Sequence, residues 1–387
     1  MSRARFSFLF LLALPLGACA KDAPPAPQPE PSAKAAVTET KPALTAEIVA
    51  GAAEASVASA APPPSVEASA KKAAPEKSTA NAGVIAPIAL PKASNGVLAA
   101  GVADRLLASG ASAIVRLLDP GAEPRADLSY AIAKGPAPKL GMAMEMAVSV
   151  NSGGHKNEAK LPRMGMTLDG SAAETNAAGE WKILASLVGI TIDGEGPQAE
   201  QMAAAMRPQI DAMKGLGINY WLNPKGRVRD VKVELPKGFP AAAQALVEGL
   251  NQSFESMVAP LPVEPVGLGA KWQVVSRMAA SGADLLQSAT YTLKARDGTH
   301  ATLDVITTQL SASDTIKAPG VKGDTVTRVK SFSSGGSGTT KIDTTSVVPE
   351  SGTTTMKTGM TVVVSQGGEA GDDSAVETRT SVTLSRP

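Results

Sequence analysis

From Trp272 to the last residues the chain reads as one strand after another. Apolar and polar residues alternate over 273–278, 288–295, 302–309, 325–332, 339–348, 354–365 and 375–385. Between these runs stand Arg-Asp-Gly298, Ser-Gly-Gly-Ser-Gly338, Pro-Glu-Ser-Gly352 and the glycine-acid stretch 367–373. Connections that short join antiparallel neighbours. Twisted strands in such number cannot stay a flat open sheet; the sheet must curl or split.

Upstream the pattern continues. Runs 113–118 and 128–133 flank the turn-rich Asp119-Pro-Gly-Ala-Glu-Pro-Arg125. Met142, Met144, Met146, Val148 and Val150 alternate with Ala143, Glu145, Ala147 and Ser149, which is a strand with one apolar face. The stretch 151–157 turns it, Met164, Met166 and Leu168 supply a partner, and 181–192 is another long strand.

One stretch breaks the rhythm. Pro197 suits the first turn of a helix, and Met202, Met206, Ile210 and Met213 form one stripe that Gly215 and Gly217 end. Ile218, Tyr220 and Leu222 then alternate up to Asn-Pro-Lys-Gly226, and Val228, Val231 and Val233 continue with a phase shift that implies a bulged hairpin. Pro236 and Pro240 introduce a second amphipathic helix with Leu246, Leu250, Phe254 and Met257 on its stripe. The proline- and glycine-rich run Pro260 to Trp272 excludes helix and delivers Trp272 into the next strand. The expected fold is mainly β (α+β): a large curved antiparallel sheet or half-barrel of about a dozen strands, covered by two amphipathic helices.

At the N-terminus Arg3 and Arg5 precede the apolar stretch Phe6 to Leu16, the layout of a secretory signal, and Leu16-Gly-Ala-Cys19 follows. That tetrapeptide resembles the lipobox of bacterial lipoproteins. The resemblance implies a signal peptide over 1–18, cleavage before Cys19, acyl chains on Cys19 and attachment to a membrane without a spanning helix. Ala20 stands where an aspartate would resemble an inner-membrane retention signal, which favours the outer membrane. Cys19 is the only cysteine, so no disulfide is expected.

Residues 19–95 read as an Ala/Pro-rich disordered linker. Twelve prolines fall between Ala20 and Ser94, and no aromatic residue occurs between Phe10 and Tyr130. A chain of that length spans about 50 Å on average. Residues 96–387 are the expected folded domain.

The run from Pro260 to Trp272 and the turn Gly-Ala-Glu-Pro-Arg125 resemble those of an uncharacterised family of secreted bacterial lipoproteins, over about residues 105–387. Long turn-linked strands wrapped about two helices resemble in architecture the half-barrel of the lipoprotein carrier LolA and its receptor LolB. Neither resemblance supplies an activity.

No catalytic set is legible. His155 and His300 sit in turn-like contexts and read as solvated. No zincin, nucleophile-elbow or phosphate-loop motif occurs, Ser333 to Gly338 reads as a hairpin tip, and Asp372-Asp373 reads as a solvated acidic turn without the ligand spacing of a calcium loop. No enzyme activity, cofactor or metal is expected. Without Arg3 and Arg5 the chain carries 35 basic and 36 acidic residues, which argues against a nucleic-acid partner. The expected function is an outer-membrane-anchored lipoprotein with a structural or partner-binding role in the envelope. The alternative is a carrier or receptor for lipid-like apolar ligands, lined by Met142, Met144 and Met146 and lidded by Leu246, Leu250, Phe254 and Met257; pliable methionine surfaces suit such a cavity.

Overall fold

A computed structural model of the 387-residue chain describes residues 85–237, 239, 258–280, 282–316, 325–366 and 369–387. Cys19, the linker up to residue 84 and the stripe Leu246, Leu250, Phe254 and Met257 lie outside the described residues.

Val102–Leu106 (α1) and Ile114–Asp119 (β1) come first, followed by Gly135–Pro136 (β2), Leu140–Ser152 (β3), His155–Lys160 (β4), Arg163–Thr175 (β5) and Trp181–Asp193 (β6). Pro197–Asp211 (α2) precedes Gly217–Leu222 (β7) and Val228–Glu234 (β8). The remaining strands are Lys271–Ala280 (β9), Ala283–Asp297 (β10), His300–Ser311 (β11), Thr315–Ile316 (β12), Val326–Asp343 (β13), Ser351–Gln366 (β14) and Glu369–Ser385 (β15). Among the described residues these fifteen strands form one antiparallel sheet, in the order β1-β9-β10-β11-β13-β14-β15-β3-β5-β6-β7-β8, with β12, β2 and β4 beside β13, β5 and β3. The sheet is not closed into a barrel, and β1 and β8 end its path. Its two halves are joined where the last strand returns beside β3, from Ser374 against Ser152 to Ser385 against Gly141.

Alternation decides the faces. In β14, Thr355 and Lys357 are exposed while Met356 and Thr358 are half-buried; in β15, Glu377 and Arg379 are exposed while Thr378 and Thr380 are half-buried. One face is therefore outer and charged, the other inner and rich in methionine, valine and threonine. At one end of the inner face Trp272, Leu293 and Leu303 from one wing meet Ile183 and Leu222 from the other in a single buried cluster. At the other end Leu285, Phe332, Val362 and Val376 form a second, joined by Val148, Val150 and Met360.

The first cluster is plugged by segments outside the sheet. Leu128, Tyr130 and Ile132 alternate as a strand would, and all three are buried. The run 128–133 is nevertheless not a strand: Tyr130 donates its backbone N–H to Pro224 and Ala131 to Thr344, so those bonds go to turns. The run 258–270 packs beside it, with the 126–266 bridge between them and Leu261 bonded to the Lys225 carbonyl.

Other expectations need correcting. Ser333 to Gly338 is no hairpin tip; β13 runs straight through it. A Cβ on Gly336 would lie 2.2 Å from the Met356 sulfur and 2.3 Å from the Thr355 carbonyl, so the glycine makes room for the neighbouring strand. Asp373 is likewise inside a strand, opposite Val363, and it binds Lys330 Nζ at 2.6 Å. Residues 85–95, assigned to the linker, lie on the sheet: Ile88 exchanges hydrogen bonds with the Gln273 side chain, and Phe332 donates to the Asn95 carbonyl. Further along this segment Leu98, Ala103 and Leu107 pack on Val275 and Leu286 of the outer face.

The first amphipathic helix is as the stripe implies. In α2 Met206 and Ile210 are buried against Ile192, with Met164, Ile190 and Met202 around them, and Met213 packs beyond its end. The β7–β8 hairpin carries the expected irregularity after Asn219, with Asp230 at φ 54° in the left-handed region.

Candidate ligand-binding trough

Cross-strand register sets which side chains share the inner face. Met144 stands opposite Met164 and Val382, Met142 opposite Met166 and Leu384, and Met146 opposite Thr380. The three methionines of the sequence reading are thus brought together with two more, and all five are half-buried. Among the described residues, α2 covers the β5–β6 part of this face through Met164, Ile190 and Ile192.

The rows continue away from β3. One runs Met146, Thr380, Met356, Gly336, Thr307, Ala289; the next runs Met144, Val382, Thr354, Gly338, Val305, Tyr291. Each crosses five strand spacings, about 24 Å of sheet surface. Methionine and threonine dominate the middle, and the Met356 sulfur and the Thr354 hydroxyl occupy the space that a Cβ on Gly336 or Gly338 would take, so the surface between the two buried clusters is amphiphilic. Beside it lies a polar ladder. Gln309 donates to Gln287 at 2.8 Å, Ser334 donates to Gln309 at 2.7 Å, and Thr358 lies 2.8 Å from Ser334. Because the single hydroxyl proton of Ser334 is given to Gln309, Thr358 is the donor in the last contact. Gln309 and Ser334 are buried, and their mutual bonding makes that burial tolerable.

At the β10 end the rows meet a cavity of about 70 Å³, enough by volume for a few ordered waters or the end of an apolar chain. Its apolar wall includes Val274, Met278, Ala289, Tyr291, Val228 and Pro260. Tyr291 is held by stacking on Trp272, whose indole donates to the Pro260 carbonyl at 2.8 Å. Burial pushes the Tyr291 hydroxyl up to about 12, so it stays neutral. Opposite stands the β7–β8 turn. Gly226 has φ +74°, and a Cβ there would lie 2.5 Å from the Ala259 carbonyl, so only glycine allows the turn to close on the plug. The next residue, Arg227, is exposed on the cavity wall; its guanidinium has no hydrogen bond or ion pair among the described residues.

The histidines separate. His155 opens β4 after the Gly153-Gly154 turn and is exposed. His300 is not merely solvated. Register places it opposite Asp343, and its Nδ1 lies 2.7 Å from Glu350. The ligand atoms of His300, Asp343 and Glu350 lie within 4.8 Å of one another. Cations already serve these carboxylates: Lys341 Nζ is 2.9 Å from Glu350, and Arg386 is 3.7 Å from Asp343 and 4.0 Å from Glu350. The Lys341 hydrogen bond, with the His300 and Arg386 charges, holds Glu350 below the ordinary carboxylate range against some burial. Burial works the other way at Asp343, yet hydrogen bonds from Thr345 and the Arg386 charge hold it low too. This is an ion-pair network pinning the C-terminal Arg386, whose guanidinium also donates to Val348 and Pro349.

Comparison with known proteins adds little. No family model and no curated protein matches the chain. Among solved structures, one concerned with lipid–protein interactions in lipovitellin matches with a TM-score of 0.34 at 8% identity, over 66% of this chain and 25% of that one. The chain thus spans about a quarter of the lipovitellin chain. No helix among the described residues is long and apolar enough to cross a membrane.

Proposed function

We propose that the chain is a lipid-anchored protein of the bacterial outer membrane whose β-domain takes an apolar, acyl-chain-like ligand on its inner sheet face. The segment Arg3 to Cys19 supports the anchor by its resemblance to a lipobox-bearing signal, and Ala20 supports the outer over the inner membrane. The observation that carries the ligand reading is the half-buried row Met142, Met144 and Met146 with Met164 and Met166, continued across the neighbouring strands by Val382, Leu384 and Met356. Polarizable unbranched side chains adapt to a flexible chain, and a concave, largely apolar surface with a few placed polar groups is the ordinary form of a small-molecule site.

Native mass spectrometry tests the ligand. The mature chain carrying Cys19→Ser, purified without detergent, is expected to retain or take up a lipid-like molecule in about one-to-one ratio. A chain that stays empty when offered fatty acids, fatty alcohols and lysophospholipids leaves a partner-binding scaffold as the reading. Acyl-chain labelling of the native chain tests the anchor separately: labelling lost in Cys19→Ala supports it, and labelling that survives removes it.

A further inference from the structure

We infer that the ligand of the trough is a carboxylate-ended single acyl chain, a fatty-acid-like anion, with its carboxylate held by Arg227. This rests on the apolar-ligand reading above and adds the polarity and direction of the ligand.

Position supports it first. Arg227 follows the glycine that seats the β7–β8 turn on the plug, and it shares the wall of the cavity formed with the inner residues of β9 and β10. Beyond it that wall is apolar, through Val228, Val274, Ala289 and Tyr291. Ala289 and Tyr291 also begin the two rows that end at Met146 and Met144. A chain anchored at Arg227 would therefore pass from the cavity along these rows, across Met356 and Thr354, toward the methionines of β3, along the same 24 Å or so of sheet surface.

Charge supports it second. The other guanidinium on the cavity wall, Arg277, is already satisfied: it binds Asp284 twice at 2.6 Å, Asp104 at 3.2 Å and the Leu107 carbonyl at 3.0 Å. Arg229, two residues further along β8, pairs with Glu180 at 2.5 Å. Arg227 is the free member of this group among the described residues, and a guanidinium fork matches a carboxylate in two parallel hydrogen bonds. The remaining polar groups on the cavity wall, Ser112, Ser276, Gln287 and the neutral Tyr291 hydroxyl, carry no charge, so Arg227 is the free cation there among the described residues. An uncharged apolar ligand would gain nothing from Arg227, whereas an anionic chain end would gain a charge-assisted contact.

The test compares palmitic acid with hexadecanol by displacement of a fluorescent fatty acid from the mature chain carrying Cys19→Ser. The acid is expected to bind about tenfold tighter or more, the range of hydrogen bonds to charged groups. Arg227→Gln is expected to bring the acid down to about the affinity of the alcohol, and Arg227→Lys to restore part of the difference. Arg227 is exposed, and a thermal melt of each variant verifies that the fold is intact. Equal binding of acid and alcohol by the native side chain would overturn the carboxylate assignment and leave the apolar-ligand reading standing. An acid preference that survives Arg227→Gln overturns the role of Arg227. Failure of both ligands and the fluorescent probe to bind removes the apolar-ligand reading itself, and this inference with it.

Discussion

Trp272 and Tyr291 stack face to face, with ring centroids 5.6 Å apart and planes 8° from parallel, directly opposite each other on β9 and β10. Trp272 is fully buried and fixes the plug through Pro260, so one side chain ties the sheet, the run 258–270 and the cavity wall together. Trp272→Ala should cost about 3–5 kcal/mol, the loss usual for deleting a buried aromatic. Trp272→Phe keeps an aromatic face and loses the indole hydrogen bond, so its cost should be nearer 1 kcal/mol. Urea unfolding of the two variants separates them; equal losses would mean that the hydrogen bond, not the packing, holds the plug.

Gly336 shows why a turn-like composition can sit inside a strand. Alanine there meets both the Met356 sulfur and the Thr355 backbone oxygen. Overpacking of this kind should destabilise by about 1–3 kcal/mol. Combining Gly336→Ala with Met356→Ala should recover only part of the loss, because the Thr355 carbonyl cannot move aside as a side chain does. Full recovery in the double variant would show that the sulfur contact was the whole obstacle.

The Glu350 network has an acid-side consequence. A carboxylate held below its ordinary value stabilises the fold above the unfolded value of about 4.5 and loses that contribution as pH falls through the lower folded value. Asp343 acts in the same direction from its ordinary 3.8. The melting temperature should therefore fall on acidification through and below pH 4.5, and Glu350→Gln should flatten that fall while lowering the neutral-pH melt. A variant whose acid limb coincides with that of the native chain would exclude Glu350 from the acid response.

Much of the architecture is local in origin and so is legible in the chain. The period of two in β3, β5 and β6, the Met206 and Ile210 stripe of α2 and the bulged hairpin at Asp230 each follow from residues within one element. What escapes is what only the partner strand reveals. The glycines of β13 look like a turn until Met356 lies across them. His300 looks solvated until register brings Asp343 and Glu350 beside it from across the sheet. Residues 85–95 look like tether because Ile88, Leu90 and Ala93, which pack at the edge of the outer-face cluster, follow no strand or helix period long enough to register, and the hydrogen bonds of the segment run through the backbone of Ile88 and Asn95. Arg227 has no local signature, since an unpaired cation is recognisable only once its neighbours are known.

The attachment of residues 85–98 is testable by truncation. A chain beginning at residue 85 keeps the Ile88–Gln273 exchange, the Asn95–Phe332 bond and the Leu98–Ser311 bond, whereas one beginning at residue 100 strips all three. Gln273 exchanges its two hydrogen bonds to Ile88 for water, each a net loss of about 0.5–1.5 kcal/mol. The shorter chain should melt several degrees lower and expose the outer face of β9 and β10 to a hydrophobic dye. Equal melting of the two would show that the segment lies on the sheet without stabilising it.

Met144 decides between trough and core. Its side chain is half-buried, between Val382 and Met164, whereas Met206 of α2 is buried. If the inner face receives a ligand, Met144→Ala removes a contact that water or ligand can replace, and the loss of stability should be about 1 kcal/mol, half the value of fully burying such a side chain. Met206→Ala, in a packed contact with Ile192 and Ile210, should cost about 2–5 kcal/mol. Binding should divide the other way. Met144→Ala is expected to weaken a fluorescent fatty acid several-fold, and Met206→Ala to weaken it little at temperatures where the fold is intact. A Met144→Ala loss as large as that of Met206→Ala, with no probe bound by the native chain, would mean that the methionine rows are ordinary core; the inner face would then serve stability alone, and the domain would be a scaffold presenting its outer surface to a partner.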